Sequence, residues 1–131
     1  MRKDIEIPKV RDVYIAAVKE WDKDFTDLQW NVYLINNRKD LISTLLVVSR
    51  GNNEIQKTST LRHNFGDVPA KSSVRIEFIP EEVLGFTNEY LITFFAENTL
   101  FERTYVFAPQ SISEERRTIV PVMEAMGVIA G

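Results

Sequence analysis

The sequence predicts an all-β protein, built as an antiparallel two-sheet β-sandwich of about seven strands. Three observations support this prediction. Short apolar segments with alternating character recur along the chain, and they are rich in β-branched and aromatic residues. Polar or glycine-containing connections separate these segments. A small β-barrel is the alternative closure of the same strands.

Composition limits the classes of function. The 131 residues are enough for one domain with its own core, and the 44% hydrophobic and 27% charged content is ordinary for a globular chain. The absence of cysteine excludes disulfides, thiol catalysis and thiolate metal sites. A formal net charge of -3 gives no support to non-specific nucleic-acid binding, so no nucleic acid is expected as a partner.

Neither a signal peptide nor a membrane-spanning helix is predicted. Basic residues near the start are not followed by an apolar core of signal-peptide length. No window approaches the roughly 18 consecutive apolar residues that a membrane helix needs. We therefore expect no membrane association and a cytoplasmic location.

Four strands are predicted in the first half of the chain. Residues 13–21 form an apolar segment that favours a strand, with a short helix as the competing interpretation. Residues 28–35 alternate, and the side chains predicted to face the core are those of Leu28, Trp30, Val32 and Leu34. Residues 41–49 are predicted to return as the next strand, and the polar, β-branched residues 54–62 to form an edge strand.

The middle of the chain contains a loop, a strand and a helical turn. Residues 64–71 are predicted as a loop because Gly66 and Pro69 interrupt them. Residues 72–78 alternate most sharply, with Val74, Ile76 and Phe78 predicted inward and Arg75 and Glu77 outward. Residues 80–85 start with a proline followed by two carboxylates and stop at a glycine, which predicts one helical turn.

Residues 88–107 form the strongest feature, a predicted hairpin with its turn at residues 97–99. Both faces of its first strand are apolar, so one face should pack on the core and the other beneath a second element. Phe94 is therefore predicted to contribute to an interface. The sandwich domain is expected to occupy residues 1–108.

Residues 109–131 are expected to be a C-terminal extension. Its apolar part, residues 119–130, is interrupted by Pro121 and needs cover, either on its own domain or on a partner subunit. The expected partner is a second copy of the chain or another protein. The predicted interface residues are Tyr14, Tyr33, Phe94, Val122, Met123 and Met126.

No residue is predicted to be catalytic, to bind a cofactor or to ligate a metal. His63 is the only histidine, and no nucleophile-elbow pattern accompanies it, so an enzyme that uses His63 is a remote alternative. The adjacent carboxylates at 81–82 and 114–115 suit helix starts better than paired acid–base chemistry. The predicted function is a non-enzymatic β-sandwich module for protein interaction or self-association.

A binding domain for a small ligand or carbohydrate is the alternative function. Its candidate residues are aromatic side chains that a sheet face or the sandwich rim would expose, namely Tyr14, Tyr33 and Trp21. Such side chains are also common in cores, where they serve packing alone.

Three segments together resemble a known family: LVVSRG at 46–51, KTSTLRH at 57–63 and TNEYLITFFA at 87–96. The family comprises small bacterial proteins of nearly this length with an immunoglobulin-like or fibronectin-like β-sandwich and no established activity. Some members carry the label phenylalanyl-tRNA synthetase alpha subunit. The chain is too short for the catalytic domain of such a synthetase and contains no motif for ATP or tRNA, so the resemblance implies no catalytic residue.

Overall fold

A computed structural model describes residues 8–131. In chain order, its strands are β1 (Val13–Trp21), β2 (Leu28–Asn36), β3 (Ile42–Asn52), β4 (Leu61–Val68), β5 (Ser72–Ile79), β6 (Thr87–Ala96), β7 (Thr99–Phe107), β8 (Thr118–Val120) and β9 (Ala125–Ile129). They form a five-stranded sheet in the order β5-β2-β1-β9-β8 and a four-stranded sheet in the order β4-β3-β6-β7. The predicted all-β fold is confirmed, with all strand pairs antiparallel.

One apolar core lies between the two sheets. Alternate residues of each strand point into it, which is why period-two segments form these strands. Large side chains without exposed surface come from both sheets, among them Ile15, Leu34, Ile42, Ile92 and Phe94. The core also holds one polar link, because the Tyr105 hydroxyl donates to the Val13 carbonyl oxygen at 2.5 Å. The two sheets therefore share one interior.

Strands β1, β2, β6 and β7 form at the positions that the alternation of the sequence predicts. β1 and β2 pair along their whole length, from Val13 opposite Asn36 to Trp21 opposite Leu28. β6 and β7 form the predicted hairpin. Glu97 and Asn98 are its two loop residues, and both have positive φ, at 53° and 59°. Positive φ at both central positions matches the right-handed twist of the flanking strands.

The prediction for β4 is wrong in position. Residues 54–62 were expected as the edge strand and 64–71 as a loop, whereas the strand spans Leu61–Val68 at the edge of the four-stranded sheet. Gly66 does not end this strand. It has φ of 66° where the pairing with β3 shifts register, so the glycine permits a bulge within the strand.

A second register shift changes the inward face of β5. Val32 pairs with Glu77 and Tyr33 pairs with Arg75, so Ile76 is an extra residue between two successive pairs. Such a bulge reverses the alternation of every residue beyond it. Glu77, predicted to point outward, therefore points between the sheets.

Phe78 follows the bulge and is displaced from the core to the surface. It was predicted inward but is 44% exposed, whereas Ile79 takes the core position. The chain then makes the predicted helical turn, a 3₁₀ helix at Glu81–Val83 that starts after Pro80. The bulge therefore alters the exposure of an aromatic residue and a carboxylate at once.

The C-terminal residues join the sandwich as strands. β9 pairs with the free edge of β1, and β8 pairs with β9. Beyond β9, the Ala130 amide donates to the Ile15 carbonyl oxygen at 2.9 Å. Gly131 exchanges two hydrogen bonds of 3.1 and 3.0 Å with Val106 at the edge of the other sheet. The chain thus links the two sheets along one side.

Within residues 8–131, the structure contains no helix long and apolar enough to cross a membrane.

Candidate functional site

The outer face of the five-stranded sheet carries a second apolar cluster beneath the C-terminal residues. Its buried members are Ala16, Val18, Ile35 and Val120, and its half-buried members include Tyr14, Tyr33, Val122 and Met123. Four of the predicted interface residues therefore pack against one another within the same chain. They cover this sheet face instead of presenting an open platform.

Gly127 allows the Val120 side chain of β8 to pack closely on this face. A Cβ atom at Gly127 would lie 2.7 Å from the Ala17 carbonyl oxygen and 2.9 Å from a methyl carbon of Val120. Both distances are far below van der Waals contact, so only glycine lets Val120 approach the sheet so closely. Val120 consequently has no exposed surface.

Met126, the last of the six predicted interface residues, faces away from this cluster. It pairs with Ile119 across the β8–β9 hairpin, and the side chains are 46% and 71% exposed. This cross-strand pair is the exposed large apolar part of the C-terminal extension.

A polar network borders the covered face. The Tyr33 hydroxyl donates a very short hydrogen bond to Glu20, and the Asn31 amide donates to the same carboxylate at 2.7 Å. Arg75 donates to the Asn31 side-chain oxygen at 3.1 Å. Burial, followed by the hydrogen bond to the negative Glu20, raises the pKa of Tyr33 to about 12.

Alkaline pH is expected to destabilise the fold. Burial is also the main cause that raises the pKa of Tyr105 to about 12 from an ordinary value of 10.0. The unfolded chain releases these protons first, so the contribution of Tyr33 and Tyr105 to the free energy of unfolding should be fully present below pH 10 and be lost as the pH rises from 10 to 12. Urea unfolding at a series of pH values measures this decline. Tyr33→Phe should make it shallower, and an unchanged slope would contradict the assignment of Tyr33.

Phe94 is not an interface residue, and that prediction is wrong. Its side chain is 0% exposed and stacks on Phe101 with ring centroids 5.2 Å apart. Because successive side chains of a strand point to opposite faces, the outward partner of Phe94 is its neighbour Phe95. Phe95 is 43% exposed.

The outer face of the four-stranded sheet carries apolar side chains around the central Thr93, and no other part of the described chain covers it. Its central side chains lie on β3, β6 and β7, where Val48 pairs with Leu91 and Phe95 with Leu100. Leu46 lies beside them and, like Phe95 and Leu100, is exposed. We call Leu46, Val48, Leu91, Phe95 and Leu100 the outer apolar face.

Charges of opposite sign lie at the two margins of the outer apolar face. Arg62 on β4 pairs with Val48, and Glu102 on β7 pairs with Thr93, so both point outward on the same side of the sheet. Both are exposed. One margin is therefore basic and the other acidic.

The Glu77 carboxylate lies between the sheets near β4 and β5, where Ser49, His63 and Tyr90 contact it. We call these four residues the carboxylate hub. Glu77 Oε1 accepts from the Ser49 hydroxyl at 2.8 Å and lies 3.0 Å from His63 Nε2, while Oε2 accepts from the Tyr90 hydroxyl at 2.8 Å. Because an ionised carboxylate only accepts, the ring nitrogen of His63 donates. Burial, together with the charge of Glu77, raises the pKa of Tyr90 well above its usual range.

The geometry of the hub differs from a catalytic triad. In a triad the imidazole joins the hydroxyl to the carboxylate and removes the hydroxyl proton. Here the carboxylate is central, and both Ser49 and His63 donate to it. The hub orients these polar groups and satisfies their hydrogen-bonding capacity.

Sequence reasoning found His63 but missed Glu77 as its partner. The bulge at Ile76 turns Glu77 inward, and alternation alone points it outward. A signal was nevertheless present: Ser49 and Tyr90 are polar residues at inward positions of apolar strands, and such groups need a partner.

Residues 8–131 contain no cluster of three or more histidine or acidic residues arranged to hold a metal ion. Comparison with known proteins found no matching family model, no matching curated protein and no matching solved structure. The resemblance suggested by residues 46–51, 57–63 and 87–96 therefore stays a prediction.

Proposed function

We propose that the chain is a non-enzymatic β-sandwich module that self-associates through the outer apolar face of its four-stranded sheet. One observation carries the proposal. Side chains of the C-terminal segment, among them Val120, Val122 and Met123, pack on the apolar outer face of one sheet, whereas the outer face of the other sheet stays open. Contiguous exposed apolar surface rimmed by polar residues marks interaction sites in many proteins.

The charge pattern favours a second copy of the chain as the partner. A twofold axis parallel to the strands would set β4 of one copy over β7 of the other. Arg62 of each copy would then lie near Glu102 of the other, while the apolar residues between them meet. A surface with one basic and one acidic margin is complementary to itself under this operation.

Burial of this face would favour association of two copies. Complete burial of a leucine or phenylalanine side chain contributes about 1.5–3 kcal/mol. Leu46, Phe95 and Leu100 are each at least 41% exposed, and twofold symmetry counts each of them twice. Part of this energy offsets the entropy lost on association.

We also infer that the first seven strands form an immunoglobulin-like or fibronectin-like sandwich. The distribution of strands supports this inference: β1, β2 and β5 share one sheet, while β3, β4, β6 and β7 share the other. Successive strands change sheets after β2, β4 and β5, as the Greek-key connections of such sandwiches require.

Size-exclusion chromatography with light scattering tests the association. We expect the wild-type mass to rise toward that of a dimer as the concentration increases. Phe95→Ser combined with Leu100→Ser should raise the dissociation constant by at least about 30-fold, since buried hot-spot residues contribute about 2 kcal/mol or more.

A matched control is Ile119→Ser, which removes an apolar side chain that is 71% exposed but lies on the other sheet. It should leave the mass unchanged. A wild-type chain that stays monomeric at all concentrations would refute self-association, and so would equal dissociation by Ile119→Ser.

A charge exchange gives a second test: Arg62→Glu should weaken association, and Arg62→Glu combined with Glu102→Arg should restore it.

A further inference from the structure

A cavity of about 290 Å³ opens beside the carboxylate hub. Its exposed wall is largely apolar and includes Leu61, Ile79, Pro80 and Val83, while Glu77 and Tyr90 supply polar atoms. His63 is not part of the lining and reaches Glu77 from elsewhere. The cavity thus combines an apolar wall with a carboxylate, and it is distinct from the outer apolar face.

The three hydrogen bonds of the hub hold the Glu77 carboxylate in place while leaving acceptor capacity. A carboxylate offers about four acceptor positions, two on each oxygen. Ser49 and His63 use Oε1, whereas Tyr90 alone uses Oε2. A donor group that enters the cavity therefore finds a fixed oxygen with a vacant acceptor position.

Glu77 has no permanently charged partner in the described chain. Its side chain is only 18% exposed, yet no lysine or arginine of residues 8–131 forms an ion pair with it. Arg50 also lines the cavity, but it is paired with Glu89 at 2.8 Å, and His63 beside Glu77 is charged only when protonated. Carboxylates withdrawn from water are usually paired, so this site favours a cation.

We propose that the cavity binds the ammonium group of a small primary amine, with the amine's alkyl chain along the apolar wall. The ammonium donates to Glu77 Oε2 and supplies the missing positive charge. A carboxylate ligand would be repelled by Glu77. A neutral sugar brings no positive charge to pair with Glu77.

Titration of the full chain with n-hexylamine tests this site, with n-hexanol, hexanoate and glucose as comparison probes. At pH 7 the amine is cationic, and amide resonances of residues 49, 77 and 90 should shift in saturable fashion with a dissociation constant on the order of millimolar. Hexanol should bind at least about 10-fold more weakly, and hexanoate and glucose should not bind. Equal binding of hexanol and hexylamine would overturn the proposal, as would shifts elsewhere.

Variants separate charge recognition from apolar filling. Glu77→Gln keeps a hydrogen-bonding side chain but removes the charge, and it should weaken amine binding at least about 10-fold without changing hexanol binding. Glu82→Gln removes an exposed carboxylate outside the cavity and should have no effect. Should Glu77→Gln fail to fold, Val83→Phe fills the cavity wall without contacting the hub and should abolish binding of both probes. Unchanged amine binding in Val83→Phe would place the amine elsewhere and refute the proposal.

Discussion

Replacing Phe94 with alanine is expected to lower the free energy of unfolding by about 3–5 kcal/mol. The ring has no exposed surface and stacks on Phe101 at the centre of the core, so its removal loses burial energy and leaves a cavity. Phe95→Ala is the matched control, because the same residue type one position later is 43% exposed. We expect the control to change stability by less than about 1 kcal/mol.

Urea unfolding measures the difference in stability between the two variants, and light scattering measures the difference in their association. Phe94→Ala should shift the unfolding midpoint strongly while the folded fraction still associates. Phe95→Ala should lose association, and it should keep the midpoint when unfolding is measured at a protein concentration too low for the wild type to associate. Two variants with equal unfolding midpoints would show that β6 does not present its faces as described.

Gly127→Val is expected to destabilise the chain by about 3 kcal/mol or more, at the upper end for overpacking. A Cβ at this position would already lie 2.7 Å from the Ala17 carbonyl oxygen and 2.9 Å from Val120. The nearest atom belongs to the backbone of β1, so it cannot move aside without breaking the pairing with β9. Reduced freedom in the unfolded chain offsets only about 0.4–1 kcal/mol.

Hydrogen exchange should locate this loss. In Gly127→Val, amides of β8 and β9 should exchange faster than in the wild type, while amides of the β6–β7 hairpin should be affected only by the global loss of stability. Met126→Val is the control, because it places valine at the adjacent position, where the side chain is 46% exposed. Wild-type stability of Gly127→Val would mean that Val120 does not lie over Gly127.

The parts of the fold that sequence predicts are those in which local pattern and tertiary position agree. Strands β1, β2 and β6 alternate without interruption, and the turn at Glu97 and Asn98 accommodates positive φ. The errors occur where one extra residue changes the register. At Gly66 a bulge lets β4 continue through a residue that was predicted to lie in a loop. At Ile76 a bulge turns Glu77 inward.

The candidate site was predictable only in part for the same reason. A two-faced apolar strand at residues 88–96 signals that each face needs cover, but alternation alone does not say which face meets the core. The prediction of Phe94 as an interface residue rests on that ambiguous signal. The position of residues 119–130 was also open, because an apolar segment fits its own sheet or a neighbour's equally well until its pairing partner is known.

The hydrogen bonds between Gly131 and Val106 make it harder for the chain to polymerise by strand addition at a sheet edge. They occupy part of the outer edge of β7, which would otherwise offer backbone groups to a strand from another molecule. The other edge strands are also poor templates for strand addition, because β8 has only three residues and bulges interrupt β4 and β5. Growth by strand addition is therefore disfavoured on all four margins. In the proposed twofold dimer, contact through a sheet face would end at two copies and would leave no strand edge open for further growth.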